Sequence, residues 1–171
     1  MKFIGVAALL FFLSFPALSE SQFNENTFTG AKKSSAIGVT VGSLSGIGVS
    51  YRKFLDNNFG FQVSGGIAGS SSVFYADIAA NALYRIVEHD EFMIYGVSGV
   101  SLFDSANEHP SWKHTLYMTV GVGLGIEYFL SENLALDFSV PMQASFYVSE
   151  EEKFTFYHFW PIPSVGIYYH F

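Results

Sequence analysis

Serine, histidine and acidic side chains crowd one short stretch of the chain: Asp104, Ser105, His109, Ser111 and His114. These are the residue types of a nucleophile, a general base and an orienting carboxylate, as a hydrolase or acyltransferase would use them. Their spacing matches no nucleophile motif, and polar loops hold such residues by default. His109 and His114 are five apart with no carboxylate at ligand spacing, which makes a weak metal site. No catalytic residue, metal or cofactor is assigned on these grounds. A second set is ionic: Arg52, Asp77, Arg85, Glu127 and Asp137. Two carboxylates brought together need a cation, and buried charges are normally paired. Carboxylates that close would suit acid–base chemistry, but a structural ion network is the simpler reading.

The elements that must position these groups alternate with period two. Eight segments follow one another: Ser35 to Ser43, Gly46 to Phe54, Phe59 to Gly69, Val73 to Val87, Phe92 to Phe103, about Thr115 to Tyr128, Leu134 to Val148, and about Phe154 to Phe171, with Asp104 to His114 as the longest loop. In the sixth, Leu116, Met118, Val120, Val122, Leu124, Ile126 and Tyr128 alternate with Thr115, Tyr117, Thr119, Gly121, Gly123, Gly125 and Glu127. The fifth shows no clear alternation, so its faces stay unassigned. In the other seven, no charge falls within the apolar face. Arg52, Asp77, Arg85, Glu127 and Asp137 all fall on the opposite one, which is rich in Gly, Ser and Thr. Connections are short, so neighbours pair as antiparallel hairpins.

Several segments exceed 12 residues, against about 5–6 for strands of soluble domains and about 9–11 for a tilted strand crossing a bilayer. Aromatics mark both ends of the apolar face: Tyr51, Phe59, Tyr84, Tyr128 and Tyr169 at one, Phe74, Phe146, Tyr157 and Phe159 at the other. Of 171 residues, 50% are apolar and only 13% charged, where a soluble domain carries roughly 25% charge. The fold class is therefore all-β: a closed, antiparallel, up-and-down transmembrane β-barrel of eight strands. The apolar face meets lipid and the polar face lines a crowded lumen.

The domain order follows. Lys2, the apolar run Phe3 to Leu13, Pro16 and Ala17-Leu18-Ser19 predict a signal peptide over 1–19. Residues 20–34 form a short periplasmic lead and 35–171 the barrel. Loss of Lys2 takes the net charge from −7 to −8, which argues against binding nucleic acid. There is no cysteine, so disulfides do not hold the exported chain.

The chain ends Gly166-Ile167-Tyr168-Tyr169-His170-Phe171. This resembles the C-terminal β-signal of bacterial outer-membrane barrels. The resemblance implies that Gly166, Ile167, Tyr169 and Phe171 are read by the barrel-insertion machinery. Eight strands with short turns look like the OmpA/OmpX-type small barrels, although those carry long external loops and this chain does not. The implied location is the bacterial outer membrane. The implied partners are its lipid and lipopolysaccharide, and the implied state is a monomer.

Glu127 and Asp137 flank one turn almost symmetrically and should be cross-strand neighbours. Arg85 is expected to reach them directly or through Arg52, plugging the periplasmic end. Pro141 and Pro161 should lie nearly opposite each other, with Pro163 close by, so one rung loses amide donors. Either that rung lies at the outer interface, perhaps with a bulge, or it is a lateral opening to lipid. The expected function is an envelope protein with a largely plugged lumen. The alternatives are a narrow pore, a small-ligand or lipid carrier, and a lipid A-modifying barrel similar in kind to PagP or PagL, whose catalytic motifs are not found in register.

Overall fold

The computed structural model describes residues 34–70, 73–108, 112–149 and 155–171. The segment read as a signal peptide and nearly all of the lead lie outside the described residues, as do His109 and Ser111. The strands are β1 (Ser35–Gly42), β2 (Gly46–Phe54), β3 (Phe59–Gly69), β4 (Val73–Glu88), β5 (Phe92–Glu108), β6 (Trp112–Phe129), β7 (Leu134–Ser149), β8 (Thr155–Pro161) and β9 (Ser164–His170). Each strand from β1 to β7 pairs antiparallel with the next. β8 and β9 both pair with β7, and β9 pairs with β1. The result is a closed eight-stranded antiparallel barrel whose last strand is broken at Ile162–Pro163.

Alternation puts the apolar set outside. Val39, Val49, Val63, Ile67, Leu124, Phe138 and Ile167 are exposed, while Ser50, Arg52, Gln62, Glu127 and Gln143 are buried. Charges on the outer wall stand toward strand ends. Lys53 pairs with Phe61 near the end of β2, and Asp104 pairs with Leu116 on the β5–β6 hairpin. The fifth strand hid its phase for a reason. Its inward residues Met93, Tyr95 and Val97 are themselves apolar and pack with Phe54 and Leu83 in a small core, so both faces read as hydrophobic.

Both described chain ends lie at one end of the barrel, where Phe171 N donates to Ser35 O at 2.9 Å. We call this the near end. The near-end turns close tightly, with Leu55 N on Phe59 O at 2.6 Å, His89 N on Phe92 O at 2.8 Å and Leu130 N on Leu134 O at 2.8 Å. Asn58 takes the left-handed φ of 64°, a conformation Asn tolerates in turns. The wall is uneven at the far end. β1 and β2 have 8 and 9 residues, whereas β5 and β6 have 17 and 18. Asp104 and His114, expected in a long loop, lie instead on this extended hairpin, with His114 Nδ1 3.0 Å from Asp104 Oδ2.

Candidate functional site in the lumen

The near half of the lumen is organised around Arg52. Its position on β2 sets its side chain inward, and Cα pairing brings Gln62 of β3 alongside. Glu127 of β6 and Asp137 of β7 are direct cross-strand partners. Arg52 Nη1 donates to Glu127 Oε2 at 3.1 Å and to Asp137 Oδ2 at 3.0 Å. Its Nε and Nη2 donate to Gln62 Oε1 at 3.2 and 2.8 Å. The Tyr95 hydroxyl donates to Asp137 Oδ2 at 2.6 Å, and His170 Nε2 lies 2.8 Å from Glu127 Oε1. The guanidinium also faces the Tyr168 and Tyr95 rings, 4.2 and 5.0 Å from their centroids. A planar cation fits both the carboxylates and the aromatic faces, which an ammonium would not do equally. Arg52 and Glu127 are 1% and 0% exposed, so the cluster is buried inside the barrel.

The other two residues expected in this network stand elsewhere. Arg85 Nη1 bonds Glu88 Oε2 at 2.6 Å, and its guanidinium lies 4.8 Å from the Phe54 ring centroid. The reason is a register shift between Arg85 and Val87 against β5. This bulge re-aims the strand end and gives Arg85 a carboxylate of its own. Asp77 lies higher on β4 and accepts from Ile47 N at 2.7 Å. Gln62, Tyr95, Tyr168 and His170 were missed as members. Parity alone would have placed Gln62, Tyr168 and His170 inward; Tyr95 was hidden by the unphased fifth strand.

The turn between β1 and β2 is a second device. It was read as a plain connection, but it folds into the lumen. Leu44 is 2% exposed. Ser64 Oγ of β3 donates to Ser45 O, and Ser101 Oγ of β5 donates to Ser43 O. Thr40 Oγ1 donates to Ser45 Oγ at 3.1 Å. Gly46 takes φ +81°, and a Cβ there would collide with Asp77 and Ser64. The Gly and Ser residues around Leu44 were the available signal. Beyond this tip, toward the far end, lies a cavity of about 440 Å³.

Around the prolines, Met142 pairs with Pro161 and Ser139 with Ser164. Pro141 and Pro161 thus lie nearly opposite, as expected, offset by one position. Ile162 N donates to Pro141 O at 3.3 Å across the break. A second register shift lies between Ser145 and Phe146. Trp160 is 66% exposed although its cross-strand partner Gln143 is buried. At the C-terminus, Ile167, Tyr169 and Phe171 face outward and Gly166 inward.

No family model and no curated protein matches the chain. Among solved structures, the N-terminal β-barrel domain of Pseudomonas aeruginosa OprF is similar over 81% of this chain and 98% of that one, at 15% identity and a TM-score of 0.54. Neisserial surface protein A covers 80% of this chain and 93% of its own, at 15% identity and a TM-score of 0.46. The chain therefore has the fold of the small eight-stranded barrels to which the OprF domain belongs.

Proposed function

We propose that this chain is an outer-membrane β-barrel whose lumen is closed and whose role is in the structure of the envelope. The observation that supports this is an inversion of polarity across one wall. Arg52, Glu127 and Asp137 are buried inside, while the exposed outward positions away from the strand ends are mostly aliphatic or aromatic. In water such a wall would be an association surface far beyond ordinary exposed patches. In a bilayer it is matched, and inward charges avoid a cost of about 2–4 kcal/mol for Arg or Lys at the lipid midplane. Backbone polar groups in hydrocarbon demand a helix or a closed barrel, and the β1–β9 pairing supplies closure.

On this reading the near end is periplasmic, and outer-membrane lipid and lipopolysaccharide pack against the wall. Export uses residues 1–19. The insertion machinery reads Gly166, Ile167, Tyr169 and Phe171. The test is fractionation of cells expressing the chain, with heat-modifiable migration as the readout of folding, followed by planar-bilayer recording of the purified protein. Recovery in the outer membrane and silent bilayers are expected. Recovery in the soluble fraction would overturn the membrane reading, and steady conductance steps would overturn the closed lumen.

A further inference from the structure

We infer that the cavity above the β1–β2 turn is a site for one acyl chain of a bilayer lipid, entering sideways over that turn. The inference rests on the membrane reading above. The first observation is height. A strand crossing a bilayer needs about 9–11 residues, and β1 and β2 have 8 and 9. β1 falls just short of that range and β2 only reaches its lower bound, so this hairpin ends low in the wall while β5 and β6 rise past it. Its last outward pair is Val41 and Ile47, aliphatic residues rather than the aromatics of an interface.

The second observation is continuity. Val41 and Ile47 are 56% and 47% exposed on the outer wall, and the same two residues line the cavity. The cavity thus opens onto the surface that faces lipid. The gap is flanked by the Ile162–Pro163 break, which also lines the cavity. Among the described residues β8 pairs only with β7, so no strand closes the wall above β1 on that side.

The third observation is chemistry. Phe103, Tyr117, Ile162 and Pro163 supply apolar lining. The polar groups beside them are occupied with one another. Thr119 Oγ1 is 3.0 Å from Ser145 Oγ, Ser101 donates to Ser43 O, and Asp77 accepts from Ile47 N. Among the described residues, the Ser43 hydroxyl is the one fully buried polar side-chain group on the lining that lacks a partner. Such a lining has little to offer a headgroup and suits hydrocarbon. Its volume lies in the range of about 300–1,000 Å³ usual for small-molecule sites.

The test uses the full-length protein in vesicles of dimyristoylphosphatidylcholine. A photo-reactive p-benzoylphenylalanine replaces either Tyr117, in the cavity, or Tyr128, on the outer wall. Lipid adducts are then read by mass. Adducts at both positions are expected, and the Tyr117 adduct should disappear when the cavity is filled by Thr119→Phe while the Tyr128 adduct stays. Ser145→Leu is the second filling variant, and heat-modifiable migration reports folding in each. A Tyr128 adduct with none at Tyr117 would overturn the acyl site and leave the membrane reading intact. Absence of both would overturn the membrane reading itself. A Tyr117 adduct that survives filling, or that forms with added myristate but not with vesicle lipid, would overturn entry from the bilayer into this cavity.

Discussion

Arg52 holds two buried carboxylates, Glu127 and Asp137. Removing one member of a buried ion pair typically costs about 3–5 kcal/mol, because the remaining charge is stranded. Arg52→Ala is therefore expected to lose several kcal/mol in urea unfolding from vesicles. Arg85→Ala should lose about 1 kcal/mol or less, since its bridge to Glu88 is partly exposed and exposed pairs are weak. Equal losses in the two variants would contradict the division between them. A second contrast concerns packing. A Cβ on Gly125 would run into the Tyr95 ring, whereas one on Gly96 would meet only ordinary contacts at 3.9 Å. Gly125→Ala is expected to cost about 1–3 kcal/mol as overpacking, with Gly96→Ala near neutral in the same unfolding assay. The pairing of Glu127 with Asp137 was readable because alternation sets the face and a symmetric turn sets the rung. The partner of Arg85 was not readable, because a one-residue bulge resets which groups meet and leaves no mark in the alternation.

At the scale of strands, the long, cleanly alternating segments were legible to within a few residues: β2, β3 and β7 match their expected spans closely. What failed to read was anything that breaks period two. β5 buries an apolar cluster on its inward face, the eighth segment divides into β8 and β9, and the β1–β2 turn bends inward through glycines. β9 carries its own prediction. Its outward residues Ile167 and Tyr169 and the Phe171 that follows it are 47%, 53% and 57% exposed, so little internal packing depends on Phe171. Phe171→Asp is thus expected to leave refolding in detergent nearly unchanged while lowering the heat-modifiable fraction assembled in cell outer membranes. Normal assembly in cells would remove the insertion role. Equal failure in detergent would make Phe171 a stability residue instead.

Across the whole molecule, the closed-lumen proposal places two obstructions in series. On that proposal the Arg52 cluster closes the near half, and the tip carrying Leu44, bonded by Ser64 and Ser101, closes the level above it. Series obstruction has a consequence that neither block has alone: opening one leaves the path shut. Emptying the cluster as Arg52→Ser with Glu127→Ser and Asp137→Ser avoids stranding a charge, and that variant should remain silent in planar bilayers. Loosening the tip with Ser64→Ala and Ser101→Ala removes the two side-chain hydrogen bonds that β3 and β5 make to its carbonyls, and that variant should also remain silent. Only the combination of all five changes should give conductance steps. Heat-modifiable migration identifies which variants are folded before recording. Steps from the cluster variant alone would mean that the tip does not seal the lumen. Steps from the tip variant alone would mean that the cluster leaks around Arg52. Silence from the folded combination would place a further obstruction in the lumen, at the level of Gln143 and Asn81, which are buried between the two walls.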